Sequence, residues 1–209
     1  MAEQEGTWLA DLGITDRITG LDRARASREL LLEAGRHVLP AVQDYTISVF
    51  IFSGFLARAQ GFHEGTVAAI EADNPYASFS LLRSYSENAA GILYLKDHPT
   101  TLDQFWRPGA RPVSIGRITN YADKRFPGSR PIYSELSEYA HPGSLSMVAS
   151  HRIRDDDSRI VEWRSAPSFH SHNDATVACG WTVELATATA HLLVGLAAGW
   201  PRAHDPDEH

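Results

Sequence analysis

The chain has 209 residues, of which 43% are hydrophobic and 22% are charged. This balance predicts a globular protein with one substantial core, and we expect a single domain. The formal charge of -7 argues against a broad surface that binds polyanions non-specifically, although a local basic patch is compatible with it. The single cysteine, Cys179, excludes an internal disulfide, and its apolar neighbours predict a buried small side chain.

The sequence predicts a cytoplasmic protein with no membrane span. The first six residues carry acids where a signal peptide needs basic residues, and no apolar run follows them. The apolar segments 45–57 and 185–200 are both shorter than the roughly 20 residues that a transmembrane helix requires. We interpret them as central helices of a bundle.

Hydrophobic periodicity and capping residues predict that most of the chain is helical. Residues 1–20 form a docked N-terminal segment, 21–201 form the helical-bundle domain, and 202–209 form a flexible tail. The helix that starts near residue 21 has Asp22 as its candidate N-cap, and Gly61 is predicted to end the second helix. In chain order the predicted helices are 21–39, 41–60, 63–73, 76–97, 113–126, 132–141 and 175–199.

A change of period near the C-terminus predicts two strands. Apolar and polar residues alternate over 145–154 and 159–165, on either side of an acidic turn, which is typical of a β-hairpin. The predicted fold class is therefore mainly α, an antiparallel helical bundle with one β-hairpin before the C-terminal helix. The predicted core centres on Phe50, Phe55, Leu82, Leu93, Leu136, Leu185 and Leu192.

The most informative stretch is the predicted helix 132–141, because it carries a polar column. Tyr133, Ser137 and His141 fall at i, i+4 and i+8, and the following Pro-Gly pair ends the helix. On an earlier helix, Arg83 and Glu87 are one turn apart. They are either an exposed pair, which would stabilise the fold by about 0.3–0.5 kcal/mol, or one half of a shared polar cluster.

In the second alternative the two helices pack antiparallel. Arg83 or Glu87 then comes within hydrogen-bonding reach of Tyr133, Ser137 or His141, because a buried polar group left unpaired costs about 1–3 kcal/mol. A carboxylate at Glu87 would hold His141 in one tautomer and raise its pKa.

Two segments carry a family resemblance. Leu-Leu-Arg-Ser-Tyr-Ser-Glu-Asn at 81–88 and Tyr-Ser-Glu-Leu-Ser-Glu-Tyr-Ala-His-Pro at 133–142 resemble a family of uncharacterised bacterial proteins of the domain-of-unknown-function 5677 type, which look like relatives of the HEPN helical bundles. The resemblance covers about residues 41–142. It implies a ribonuclease or a non-catalytic helper in bacterial stress or phage defence, with Arg83, Glu87, Ser137 and His141 as the matching positions.

The chain departs from the HEPN pattern in one respect. Active HEPN ribonucleases use an arginine, four to six residues, and then a histidine. This spacing occurs here at Arg58–His63, Arg164–His170 and Arg202–His209, which is no more often than composition alone predicts.

Metal-binding patterns are weak. The pair Glu138 and His141 occurs once, whereas di-iron bundles supply such a pair twice, and the run 170–174 is more economically explained as a helix cap. We therefore predict no metal and no cofactor.

Four further residues are predicted to bind a ligand: Tyr133, Tyr94, Glu184 and His191. Glu184 and His191 are either core residues with satisfied hydrogen bonds or residues that face the same polar pocket. The first functional hypothesis is a HEPN-like protein directed at RNA or a nucleotide. The alternatives are a non-catalytic interaction module that binds a protein partner and, third, a metal-dependent bundle enzyme. Apolar sides on the long helices favour a homodimer.

Overall fold

The computed structural model describes most of the chain. The described residues are 8–41, 46–141, 146–147, 149–155, 160–163 and 165–199. The N-terminal 1–7 of the predicted docked segment and the predicted tail 202–209 lie outside them. Within the docked segment, Leu9 and Ile14 are buried, and the Trp8 indole donates a hydrogen bond of 2.7 Å to Glu184.

Six helices of more than ten residues make up most of the described structure. Shorter elements are the 3-10 turns Leu39–Ala41 and Pro99–Thr101 and the helix Asp103–Trp106. The six long helices are α1, Arg17–Val38; α2, Ile47–Glu71; α3, Pro75–Asp97; α4, Ile115–Arg125; α5, Ser129–Ala140; and α6, His172–Ala198.

Capping side chains set where these helices begin. Asp16 caps α1 in a capping box with Thr19, so α1 starts five residues before the predicted cap at Asp22. Ser171 caps α6, and Asp174 is its partner three residues on, rather than the cap itself. In both cases an earlier side chain accepts from a backbone N–H that the helix leaves unpaired.

The predicted break at Gly61 is wrong, because α2 continues through it to Glu71. A glycine inside a helix costs only about 1 kcal/mol relative to alanine. Phe62 packs against the core, and the buried face continues through His63 and Val67. Burial of that face offsets the glycine, so the predicted helix 63–73 continues the preceding one, and the two are described as a single helix from Ile47 to Glu71.

The first three helices, α1, α2 and α3, run antiparallel to one another in succession, as predicted for the bundle. Contacts join residues near one end of each helix to residues near the opposite end of the next. The pairs are Arg25 with Glu71, Gly35 with Leu56, Arg58 with Asn88, and Gly65 with Leu81.

The C-terminal helix α6 fills the remaining side of the bundle. It contacts α1, α2 and α3. It runs parallel to α3, because Trp181 contacts Phe79 near the start of α3 and Gly195 lies beside Lys96 near its end. The hairpin and its connections supply the chain length for this return. Helices α4 and α5 pack on the outside of α3.

The core comprises two main clusters of buried side chains along the bundle. Leu82, Leu93 and Leu136 are buried as predicted, and Phe55, Leu185 and Leu192 are partly buried against the core. Phe50 is a correction. It is 54% exposed, because the inward face of α2 at this point is taken by Val49 and Phe52.

The predicted β-hairpin is confirmed by two antiparallel strands before α6. β1, His151–Asp155, pairs with β2, Ile160–Trp163, with His151 opposite Trp163 and an irregularity between Ile153 and Asp155. The strands are shorter than predicted, but the fold class is as expected: a mainly α bundle with one hairpin.

One described helix, Asn173–Ala198, is long and apolar enough to cross a membrane by length and composition. Half of its most apolar window is buried inside the bundle. Its apolar character is accounted for by packing against α1, α2 and α3.

His63 is a buried histidine between α1 and α2. Ser27 donates its hydroxyl hydrogen to the Ala24 carbonyl at 2.8 Å, so its oxygen accepts from His63 Nε2 at 3.0 Å. The other ring nitrogen is buried and has no hydrogen-bond partner among the described residues. Burial, with a smaller contribution from the charge of Arg28, lowers the pKa of His63 below its ordinary 6.5.

We expect acid to destabilise the fold through His63. The unfolded chain takes up a proton as pH falls through about 6.5, whereas folded His63 resists it until a lower pH. The free energy of unfolding should therefore fall between pH 7 and 5, by up to about 1.4 kcal/mol per pH unit. Urea titrations should show a smaller fall for His63→Gln than for the exposed control His191→Gln. Equal slopes in the two variants would contradict the assignment.

Candidate functional site

Helix α5 packs antiparallel on α3, and this packing creates the polar site. Leu136 is buried in the same cluster as Phe79 and Leu82, and the Tyr139 ring lies 4.2 Å from the Phe79 ring centroid. The apolar side of α5 therefore fixes its rotation. The polar column of α5 consequently faces the middle of α3.

Arg83, Glu87 and Tyr133 form a partly buried cluster between the two helices. Arg83 Nη2 donates to the Tyr133 hydroxyl at 3.2 Å, and that hydroxyl donates to Glu87 Oε1 at 2.7 Å. Arg83 Nε lies 3.3 Å from the same Glu87 oxygen, and its guanidinium is 5.4 Å from the Tyr133 ring centroid. The side chains of Arg83 and Glu87 are 24% and 21% exposed, so this is not an ordinary surface pair.

His141 completes the cluster at the C-terminal end of α5. Its Nε2 lies 3.1 Å from Arg83 Nη1. A guanidinium can only donate, so Nε2 is the acceptor and this contact needs the neutral imidazole with its hydrogen on Nδ1. The predicted juxtaposition is thus confirmed. Both Arg83 and Glu87 were expected as possible partners; the structure pairs His141 with Arg83, and Glu87 holds Tyr133 instead of the imidazole.

The environment of Tyr133 keeps its hydroxyl protonated. Burial, followed by the hydrogen bond to Glu87, raises the pKa of Tyr133 above its ordinary 10.0. Its hydroxyl is therefore a donor at neutral pH, held in one orientation by a carboxylate on one side and a guanidinium on the other.

A cleft of about 390 Å³ opens next to this cluster, between α3, α4, α5 and α6. Tyr133 belongs to both, because it also lines the cleft. Trp181, Leu136 and Leu185 give the cleft apolar walls, and a few polar side chains line it as well. This size and mixture are typical of small-molecule sites in helical bundles. Besides Tyr133, the polar lining residues are Ser86, Thr119, Asn120, Ser129, Arg130, Ser134 and Glu184.

The remaining four predicted site residues do not share one site. The Ser137 hydroxyl donates to the Tyr133 carbonyl at 2.7 Å, so its hydrogen bond is made to the backbone of its own helix, α5. Glu184 is exposed on α6 at the cleft and accepts from Trp8. His191 is exposed on α6 and is neither a core partner nor a cleft residue. Tyr94 is buried against His98 and Tyr121, under α4.

The spacing typical of HEPN ribonucleases does not form a site at the pair that is described. The Arg58 side chain donates to Asn88 at 3.1 Å, while His63 is buried on another face of α2 against Ser27. Arg164 and the pair Arg202–His209 lie outside the described residues.

The described residues form neither a metal site nor a reactive cysteine. Among the described residues, no group of three or more His, Cys, Asp or Glu side chains could hold a metal ion. Cys179 is fully buried, and burial raises the pKa of its thiol to about 12. A thiol that stays protonated is a poor nucleophile.

Comparisons with protein-family models, with curated proteins and with solved structures found no match for the chain. The resemblance to the HEPN bundles therefore stays a prediction that rests on the two segments quoted above.

Sequence reasoning missed the cleft. Trp181, Asn120 and Arg130 come from three helices, and nothing in their spacing indicates that they meet. The available signal was weaker: Ser86 and Ala90, one turn apart on α3, are small residues beside the predicted Arg83–Glu87 pair.

Proposed function

We propose that this chain is a HEPN-like helical-bundle protein directed at RNA or a nucleotide, with Arg83 and His141 at its site. The observation that supports it is the 3.1 Å contact between Arg83 and His141. HEPN ribonucleases bring an arginine and a histidine together through short spacing along one chain segment. Here two helices supply the same two side chains.

The chemistry of these groups suits a phosphodiester. The phosphate can first draw the Arg83 guanidinium away from His141 to its oxygens, where the guanidinium stabilises the developing charge. The freed Nε2 of His141 can then accept the proton of a ribose 2′-hydroxyl as that oxygen attacks the neighbouring phosphorus and the bond from phosphorus to the 5′-oxygen breaks, and the imidazolium can return the proton to the departing 5′-oxygen. Tyr133 is held in place by Glu87 and orients the guanidinium from below.

The cleft gives the ligand a second contact region. Its apolar walls at Trp181 and Tyr133 fit an aromatic base, and Asn120 and Ser134 supply hydrogen-bonding groups beside them. The overall charge of -7 opposes long-range attraction of a polyanion. This combination favours a nucleotide or a short unpaired segment over a long duplex.

Two substitutions test the proposal by removing different parts of the site. His141→Gln should lower the rate of RNA cleavage by about 100-fold or more while leaving binding nearly unchanged, because it removes the base. Ala188→Trp should weaken binding of adenosine monophosphate about tenfold or more, since Ala188 is an exposed residue that lines the cleft. Cleavage is followed on labelled single-stranded RNA at low salt, where electrostatic binding is strongest, and binding by calorimetry.

Matched controls separate these effects from general damage. His191→Gln and Ala57→Trp change the same residue types at exposed positions away from the site. Wild-type protein that neither binds nor cleaves RNA at low salt would overturn the proposal. So would equal losses in the site variants and their controls.

A second candidate function is a non-catalytic interaction module, in which the cluster is a structural lock. It is favoured by the way the four side chains satisfy one another: the Tyr133 hydroxyl, the Glu87 carboxylate and His141 Nε2 all have partners. In that case His141→Ala lowers stability without any loss of activity, and a protein partner is recovered by pull-down. We also propose a homo-oligomer, supported by the exposed apolar residues Ile47 and Phe50 on α2.

A further inference from the structure

The segment that carries α4 has a charge opposite to that of the whole protein. Residues 107–130 contain six basic side chains and one acid, within a chain of net charge -7. Two of the six pair with carboxylates, Arg107 with Asp103 and Arg125 with Asp97. Three others, Arg111, Arg117 and Lys124, are exposed and have no carboxylate partner among the described residues.

The three unpaired cations lie along one groove, which we name the α4 groove. Its main part has a volume of about 560 Å³ and is lined by residues of α3 and α4. A second depression shares Ser114 and Arg117 with the main part and continues the groove to Arg111. On α4, Arg117, Tyr121 and Lys124 follow at i, i+4 and i+7, so a cation, an aromatic ring and a second cation form one stripe. The main lining residues are Tyr94, His98, Ser114, Arg117, Tyr121 and Lys124.

Aromatic rings make a layered wall in this groove. The rings of Tyr94 and His98 are stacked at 4.4 Å, and Tyr121 meets both edge-on. The Arg117 guanidinium lies 5.5 Å from the Tyr94 ring centroid. This contact orients Arg117 over the groove by a cation–π interaction rather than by an ion pair, so the hydrogen-bond donors of its guanidinium stay available.

The start of α4 offers backbone hydrogen bonds to a ligand in the groove. The positive end of this eleven-residue helix opens here, at its cap Ser114. Gly116 follows, with open space where a Cβ would be, so a ligand can approach the backbone. The carboxylate behind the groove, Asp97, is engaged by Lys96, Tyr121 and Arg125.

We propose that the α4 groove binds a phosphate-bearing ligand. Arg117 and Lys124 hold the phosphate oxygens, the start of α4 adds hydrogen bonds, and the rings of Tyr121 and His98 contact an aromatic group attached to the phosphate. Arg117 and Lys124 lie about 10 Å apart along the helix axis, which accommodates more than one phosphate. Asn120 lines both the groove and the cleft, so the two sites are neighbours, but the groove stands without the cleft proposal.

Three probes distinguish the sources of the phosphate: inorganic pyrophosphate, adenosine monophosphate and a labelled single strand of eight nucleotides. Calorimetry measures the first two and fluorescence anisotropy the third. If the protein contacts two phosphates of the strand, the strand should bind about sevenfold more weakly at 200 mM than at 50 mM salt. Binding of pyrophosphate or the mononucleotide without the strand would identify a free phosphate compound as the ligand.

Variants locate the binding. Arg117→Ala and Lys124→Ala should each weaken binding of the best probe about fivefold or more. The control Arg36→Ala removes the same charge from an exposed position on α1 and should change affinity less than twofold. Ala188→Trp blocks the cleft alone and should leave groove binding intact, which separates failure here from failure of the proposed function. No binding of any probe, or an Arg36→Ala loss equal to that of Arg117→Ala, overturns the inference.

Discussion

Phe52→Ala is expected to lower the free energy of unfolding by about 3–5 kcal/mol, whereas Phe50→Ala should lower it by less than about 1 kcal/mol. The chemical change is the same at both positions, and they are two residues apart on α2. Phe52 is fully buried in the main core cluster, so its loss leaves a cavity, while Phe50 is 54% exposed. Urea denaturation of the two variants measures the difference.

Self-association provides a check on this pair. If Phe50 lies in the surface of the proposed homo-oligomer, Phe50→Ala should reduce association in sedimentation at micromolar concentration while leaving the monomer stable. Phe52→Ala should instead shift the unfolding midpoint at every protein concentration. Similar unfolding free energies for the two variants would contradict the described orientation of α2.

The existence of the long helices could be predicted from sequence because each buries a periodic apolar face. Their ends were harder to place. Asp16 and Asp22 are both good caps, and only the docking of Ile14 ahead of the helix favours the first. Gly61 is a reasonable stop signal by itself. It fails because the buried residues on either side of it stabilise a continuous helix by more than a glycine costs.

The candidate site divides in the same way. Arg83, Glu87, Tyr133 and His141 could be predicted to meet, because two antiparallel helices with polar columns must satisfy those groups together. Which side chain contacts which could not, since Arg83 and Glu87 lie one turn apart on α3 and spacing alone does not choose between them as the partner of His141. Tyr94 shares a helical column with Glu87 but lies under α4, and the packing of α4 on α3 that separates them leaves no periodic signal.

The α4 groove shows a different limit. The excess of basic residues in 107–130 is visible in the sequence, although the net charge of the whole chain is negative. The place of the Tyr94 ring in the wall of that groove depends on how it packs against His98 and Tyr121. No pattern along α3 specifies that arrangement.

Arg83→Ala should have the largest functional effect of any single change in the cluster, and it should also lower the free energy of unfolding by about 1–3 kcal/mol. The substitution leaves Glu87 without its counter-charge and His141 Nε2 without its partner. The expected cost exceeds that of an exposed helix pair, because both side chains are about three-quarters buried.

A double-mutant cycle with Glu87→Gln separates the pair from its surroundings. If Arg83 and Glu87 act mainly on each other, the sum of the stability losses in the two single variants should exceed the loss in the double variant. The difference is the coupling energy, which we expect to be about 0.5–3 kcal/mol. Activity should behave differently from stability. Arg83→Lys keeps the charge and most of the fold but loses the planar fork that reaches Tyr133 and His141 together, so stability should largely recover while RNA cleavage does not. Recovery of both would identify the cluster as a structural lock, and the absence of any coupling would show that Arg83 and Glu87 do not form the described pair in solution.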